Sequence, residues 1–305
     1  MPLVKANGLD IEVEDYGSKS DPAILLIMGL AAQLTLWPMP MVESLVGAGF
    51  RVVRFDNRDI GLSQKLHEQR APSPALTMTA IRLLGLKSLA PYTLRDMAAD
   101  SIGVLDALSI ERAHIVGASM GGMIGQVLAA RSPERVKSFT AIMSSTNHPK
   151  LKQADPAVLR QLFTTRVGAK TEDELIDRIV AFWNVIGTPD SGNDPAEFRE
   201  KIRASVKRCN YPSGVRRQIA AIVATGELRP YARKIAAPSL VIHGSCDPLA
   251  PLSGGLDIAA TIPGARAEII DGMGHDLPPR HLKKITELIA GHARAAESRA
   301  TAQAA

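Results

Sequence analysis

His114-Ile115-Val116-Gly117-Ala118-Ser119-Met120-Gly121-Gly122-Met123 runs from a short apolar segment, through a serine set between glycines, into a segment of helical character. A strand that turns sharply into a helix imposes strained angles on the residue at the corner, so its neighbours must be small. Gly117, Gly121 and Gly122 meet that need. The helix that follows aims its free N–H groups and positive dipole end at the corner, where negative charge can be stabilised. G-x-S-x-G alone is a weak signal, and its plain alternative is a glycine-rich turn of structural value. The strand before it and the helix after it favour a nucleophile elbow with Ser119 exposed at its tip.

Outward from the elbow, short apolar runs have the look of buried parallel strands: residues 23–27, 52–55, 114–116, 139–143, 240–242 and 267–270. Helical patterns separate them, among them 93–108 with Leu94, Met97, Ala98, Ile102, Leu105 and Leu108 on one face. Strands alternating with helices predict an α/β fold, a mostly parallel sheet covered on both faces. Near the N-terminus, Leu9, Ile11 and Val13 alternate with Asp10, Glu12 and Glu14, and Asn7-Gly8 precedes them, which predicts an antiparallel hairpin.

One interval breaks the alternation. Residues 146–225 hold no convincing strand and read as several helices. Thr171-Glu172-Asp173-Glu174 forms a capping box, Asp194-Pro195 starts a second helix, and a third runs from about 214 to 224. An insertion there would sit above the carboxyl edge of the sheet, as a cap over the place where such sheets hold ligands. The expected organisation is a core of residues 1–145 and 226–292, a helical cap at 146–225, and a disordered, alanine-rich tail at 293–305. Residues 75–91 read as apolar and partly helical, either lining the pocket mouth or packing on the surface. Leu162, Phe163, Ile179, Trp183 and Ile186 are the apolar cap residues expected to face a substrate.

A serine hydroxyl needs a base, and the base needs an orienting acid. With an elbow of this kind the acid precedes the base along the chain. Asp247 lies in the loop after the apolar run 240–242, and His275 in the loop after 267–270, so both fall beyond the carboxyl ends of strands. His114 and His243 belong to strands and read as hydrogen-bonded core residues, while His67, His148, His281 and His292 have no acid at suitable spacing. Asp271 reads as shaping its turn, and Asp276 as pointing elsewhere. Backbone N–H groups of Met120 and Leu30 are the candidate oxyanion donors, with Gly29 allowing close approach. The charged turn Asp56-Asn57-Arg58-Asp59 reads as a brace between loops rather than a metal or acid–base site.

Composition narrows the function classes. The 305 residues include 46% hydrophobic, 22% charged and 4% aromatic residues, with a net charge of +5 from scattered Lys and Arg. No basic face interleaved with aromatics is visible, so no nucleic-acid partner is expected. Two cysteines, Cys209 and Cys246, supply neither a disulfide framework nor metal-ligand spacing. No metal and no cofactor is expected. The N-terminus lacks a secretory pattern, and no apolar run is long enough for a bilayer, so the expectation is a cytoplasmic protein without a membrane partner. Oligomeric state is left open, a homodimer included.

The elbow, the Asp247 loop, the His275 loop and the cap together resemble the α/β-hydrolase superfamily over about residues 1–290. More narrowly, Met28-Gly29 with Trp37 downstream, residues 55–63, Ser119-Met120-Gly121-Gly122-Met123 and Gly274-His275-Asp276-Leu277-Pro278 are similar to the aclacinomycin-methylesterase-like hydrolases. That resemblance implies carboxylic-ester hydrolysis of a small molecule by Ser119, His275 and Asp247. The superfamily more often has His-Gly where this chain has Met28-Gly29, which removes a polar group but leaves the Leu30 N–H. Serine at 119 counts against the haloalkane dehalogenases and epoxide hydrolases, which use aspartate there. Relatives of this kind also include lactonases, carbon–carbon bond hydrolases and perhydrolases, and a low-turnover ligand-binding protein is the reading outside catalysis.

Overall fold

Asn7 and Gly8 both take left-handed backbone angles, φ 48° and 79°, and close a two-residue turn between strands β1 (Leu3–Ala6) and β2 (Leu9–Tyr16). These are the first elements of the computed structural model, which describes residues 3–70, 73, 76, 79–80, 85–86 and 89–304. The stretch 75–91, read as lining or surface, lies largely outside the described residues. Six further strands follow: β3 (Ala23–Ile27), β4 (Arg51–Phe55), β5 (Ala113–Ala118), β6 (Val136–Ile142), β7 (Ser239–Gly244) and β8 (Arg266–Ile270). They form one sheet in the order β1-β2-β4-β3-β5-β6-β7-β8, parallel from β4 to β8 and antiparallel only at the hairpin end. The six parallel runs read from sequence are these strands.

Strand β3 shows why the sheet is covered on both faces. Its residues are all buried, with Leu25 and Ile27 in one apolar cluster and Ile24 and Leu26 in the other. Successive side chains point to opposite faces, so a strand apolar at every position needs cover on both sides. One face carries helices α2 (Leu94–Ala107), α3 (Met120–Arg131) and α9 (Leu252–Thr261), and the other α1 (Met39–Gly47) and α10 (Pro279–Ala304). Each fully buried Leu or Ile contributes about 1.5–3 kcal/mol. The expectation of a disordered tail at 293–305 is corrected: α10 continues through Ala304, with Ala293 and Ala296 buried. An alanine-rich sequence is also a strong helix former, and here it has a surface to pack on.

Between β6 and β7 the described residues hold only helices: α4 (Pro156–Thr164), α5 (Glu172–Ile186), α6 (Pro195–Arg208), α7 (Pro212–Thr225) and α8 (Arg229–Ala232). Their starts follow from local chemistry. Asp155, Thr171 and Asp194 each accept a hydrogen bond from the first turn of α4, α5 and α6, and Pro156, Pro195 and Pro212 occupy first-turn positions where no N–H is needed. The Glu174 carboxylate reaches the Lys170 N–H rather than that of Thr171, so the capping box is displaced by one residue. Leu175, Ile176, Ile179, Ile202 and Val206 give the insertion a core of its own.

The Asp56–Asp59 turn braces its surroundings, as its charges suggest. Asp56 accepts from Leu34 N (2.7 Å), Leu62 N (2.8 Å) and Arg208 Nη1 (2.6 Å), and Asn57 Nδ2 donates to Met28 O at 2.9 Å. Arg58 grips Asp100 through two 2.5 Å bonds, and Asp59 receives both Arg217 Nε and Nη2 at 2.8 and 2.7 Å. The turn therefore ties the loop after β3 to helices α6 and α7 of the insertion.

His114 is a core residue near the start of β5, bonded to Ser138 Oγ at 2.9 Å and facing Glu297 on α10, with Lys137 and His292 near. Burial lowers its pKa to about 4, against the pull of Glu297. The unfolded chain protonates this imidazole below its ordinary value of 6.5, whereas the folded chain resists down to about 4. Its contribution to stability is whole above pH 6.5 and declines as pH falls toward 4, by up to about 1.4 kcal/mol per pH unit. Melting temperature measured from pH 8 to pH 5 should therefore drop, and His114→Gln should flatten the drop. An equal slope in the variant would refute the assignment.

Candidate active site

Ser119 stands between β5 and α3 with φ 54° and ψ −118°. That left-handed conformation is uncommon for any residue with a side chain. It is enforced by crowding. A Cβ on Gly117 would lie 2.2 Å from Gly121 O, one on Gly121 would lie 1.9 Å from Ile27 O, and one on Gly122 would lie 2.6 Å from Ser144 Cβ. The elbow is held in place by Ser119 N donating to Ile142 O at 2.9 Å and by Ser144 Oγ donating to Ser119 O at 2.8 Å.

The structure brings Ser119, His275 and Asp247 together. His275 Nε2 is 3.0 Å from Ser119 Oγ, and His275 Nδ1 is 2.7 Å from Asp247 Oδ2. A carboxylate accepts, so Nδ1 carries the proton and Nε2 is left with a lone pair facing the serine hydroxyl. The other oxygen, Asp247 Oδ1, accepts from the Leu249 and Ala250 N–H groups at 2.9 and 2.7 Å. His275 and Asp247 are both buried. Their loops are joined through Ser245 N to Ile270 O (3.0 Å) and Cys246 N to Met273 O (3.0 Å), and a Cβ on Gly244 would collide with Met273 O at 2.0 Å.

The competitors behave as their positions suggest. His243 is fully buried, donates from Nε2 to Ala250 O at 2.7 Å, and burial pushes its pKa down. Asp271 accepts from Ser245 Oγ at 2.9 Å beside the Gly272 turn. Asp276 turns away from the imidazole and accepts from Thr188 N (3.0 Å) and Thr188 Oγ1 (2.5 Å). Burial pushes the Asp276 pKa up, and the Thr188 hydrogen bonds oppose it.

A Cβ on Gly29 would lie 3.0 Å from Ser119 Cβ, so the loop after β3 passes directly beside the serine. In that loop Ala31 N donates to Gln218 Oε1 at 3.1 Å, and Gln218 Nε2 in turn donates to Arg58 O at 3.1 Å. The N–H groups of Leu30 and Met120 have no acceptor among the described residues. Two unoccupied donors flank the serine, one at a helix N-terminus, which is the arrangement that can receive an oxyanion.

Residues of the insertion and of the loops beside Ser119 and His275 line two cavities together. A cavity of about 430 Å³ is lined by Met28, Met143, Thr188, Phe198, Asp276 and Leu277, and a smaller one of about 90 Å³ lies beside Leu30 and Ala31. Leu36 and Trp183 border both. Of the apolar residues expected to face a substrate, Trp183 lines both cavities and Leu162 and Ile179 the smaller, while Ile186 packs inside the insertion with Val158 and Phe182.

Sequence reasoning missed one group of contacts. His275 N donates to Ile186 O at 2.7 Å, and Gly274 N donates to Thr188 Oγ1 at 2.9 Å. The end of α5 thus holds the backbone on which the imidazole sits, through partners more than 80 residues apart in the chain. No local pattern announces such a pairing. Thr188→Val keeps the shape and removes the hydroxyl. It should slow labelling of Ser119 by a fluorophosphonate by roughly tenfold, because small misplacements of a base are heavily penalised. Thr188→Ser should label at the parent rate, and equal rates in all three proteins would show that this lock does not act on His275.

Comparison with known proteins agrees with the geometry. The protein family described as the alpha/beta hydrolase fold matches residues 22–281. Rhodomycin D methylesterase of Streptomyces peucetius is 29% identical over 301 residues, 93% of this chain and 94% of that one. The 2-hydroxy-6-oxononadienedioate/2-hydroxy-6-oxononatrienedioate hydrolase of Paraburkholderia xenovorans is 26% identical, covering 81% of this chain and 78% of that protein. Among solved structures, the enol-lactonase from Burkholderia xenovorans LB400 is similar with a TM-score of 0.73 at 26% identity, covering 95% of this chain and 99% of that one.

Proposed function

This chain belongs to the alpha/beta hydrolase fold family, and from that premise we propose that it hydrolyses carboxylic esters of small to medium, largely apolar molecules through an acyl-enzyme on Ser119. The observation that carries the reading is the hydrogen-bonded series Ser119 Oγ, His275 Nε2, His275 Nδ1 and Asp247 Oδ2, at 3.0 and 2.7 Å. In the first half-reaction Ser119 Oγ attacks the ester carbonyl while its proton passes to His275 Nε2. Asp247 holds the ring and offsets the positive charge that forms. The developing oxyanion is received by the Leu30 and Met120 N–H groups, and each such donor supplies roughly 3 kcal/mol at the transition state. The imidazolium then protonates the departing alkoxide. In the second half-reaction a water molecule, deprotonated by the same nitrogen, releases the acid and restores the serine.

Residues 146–225 act in this reading as a cap that excludes bulk water and supplies apolar walls. The ester as the reacting bond is supported by the methylesterase that aligns over 93% of the chain. A lactone is the second reading, favoured by the similarity to an enol-lactonase, and it uses the same steps with the alcohol kept on the acyl chain.

Burst-phase kinetics with 4-nitrophenyl esters from acetate to decanoate, beside a lactone and a β-diketone, test the proposal. A burst equal to one product per site, lost in Ser119→Ala with a fall in kcat of at least about 10⁴-fold, is expected. Full activity in Ser119→Ala, or turnover of the β-diketone alone, would overturn it.

A further inference from the structure

The insertion pairs its guanidinium groups with care. Arg178 meets Glu174, Arg199 meets Asp177, Arg203 meets Asp173, Arg208 meets Asp56, Arg217 meets Asp59 and Arg229 meets Asp257. All six are at least partly buried. Arg166, also partly buried, is different. Among the described residues its one hydrogen bond goes from Nη1 to the neutral amide oxygen of Asn210, at a long 3.3 Å, and no carboxylate comes within ion-pair distance. Residues 71–88 and 300–305 contain no aspartate or glutamate that might complete it. Burial lowers its pKa, against the Cys209 thiol nearby, which reflects the loss of water around the charge.

Arg166 lines the smaller cavity, whose other walls include Leu30 and Ala31 of the loop beside Ser119. The polar neighbours there are already satisfied. Gln33 Nε2 donates to Ser205 and Cys209, Gln33 Oε1 accepts from Arg208, and Thr165 Oγ1 donates to Gln161 O. Besides the Leu30 N–H, what the cavity has to spare among the described residues is donor capacity on one cation, four of whose five N–H groups are without an acceptor. A partly buried cation without a counter-charge favours an anion beside it, and a planar guanidinium matches a carboxylate through two parallel bonds.

We propose that Arg166 forms an anion subsite that receives a carboxylate on the acyl part of the substrate, so that the preferred esters are monoesters of short dicarboxylic acids. The inference rests on the ester reading of Ser119 for its placement. A carbonyl whose oxygen lies on Leu30 N–H directs its acyl chain past that loop, toward the smaller cavity. The leaving alcohol must face His275, which protonates it, and the larger cavity begins there at Asp276 and Leu277. The apolar walls then bind the methylene chain and Arg166 its end.

The test compares mono-4-nitrophenyl glutarate with 4-nitrophenyl pentanoate, esters of equal chain length with and without the terminal charge. The ratio of their kcat/KM values should exceed one in the parent protein and fall roughly 10- to 100-fold in Arg166→Gln. Lys207→Gln, which removes an exposed cation of α6, should leave the ratio where it was. A parent that prefers pentanoate, or a ratio indifferent to Arg166, overturns the subsite while ester hydrolysis stands. Should neither ester be turned over, the ester reading fails separately, and calorimetry of monomethyl glutarate binding to Ser119→Ala decides the subsite. Binding weakened at least tenfold by adding Arg166→Gln upholds it, and binding that is absent or unchanged overturns it.

Discussion

No side chain fits where α3 passes β3 and β5. The Gly121 α-carbon lies against the Ile27 carbonyl, and Gly117 against Gly121. That contact is the constraint on which the rest of the site depends. It forces the chain to reverse within one residue, and the residue at the reversal is Ser119, left with a positive φ and its hydroxyl outward. The same crowding aims the first turn of α3 at the space above the sheet, which gives the Met120 N–H its position. It also presses Gly29 to within side-chain contact of Ser119, which brings the loop that carries the Leu30 N–H beside the serine. Serine and both donors are thus consequences of one close packing of backbones, to which the Ser144, Asn57 and Gln218 side chains add hydrogen bonds.

The charge arrangement above the sheet follows a different logic. Asp247 accepts two backbone N–H groups on one oxygen and the His275 Nδ1–H on the other. His243 stands 3.7 Å away from the same carboxylate. Were it charged, it would compete with His275 for that negative charge. Burial disfavours the charged ring and the Ala250 carbonyl accepts the hydrogen bond from its Nε2–H, so His243 supports the loop as a neutral donor. One carboxylate is left to serve one imidazole.

Much of this was legible in the sequence because its causes are local. Alternating hydrophobicity marks β1 and β2, continuous apolar runs mark the parallel strands, and Asp-Pro and Thr-x-x-Glu mark the helix starts, each within a few residues of its effect. Ser119, Asp247 and His275 were legible because each sits directly after a strand, where topology alone puts loops on one edge of the sheet. The pairing of Arg217 with Asp59 and of Thr188 with Asp276 was not, since partners 158 and 88 residues apart leave no spacing pattern. The tail was misread for a related reason. Its alanines looked like frayed chain when taken alone, and only the groove formed by α1 and β6 makes Ala293 a core residue.

The insertion is fastened to the core at points that differ in strength. Its α6 and α7 ends are held by Arg208 to Asp56 and Arg217 to Asp59, and the end of α5 by hydrogen bonds from Thr188 and to Ile186. Opening the insertion as one rigid lid would break both ion pairs and release the backbone of His275 together. Helix α4 is held differently. Among the described residues it carries no ion pair, and Val158 and Leu162 anchor it through apolar contact with Phe182, Ile186 and Trp183. Displacing α4 exposes those few side chains and leaves the charged brackets and the His275 loop untouched. Of the contacts that fasten the insertion, those of α4 are accordingly the ones least tied to the hydrogen-bonded series at Ser119.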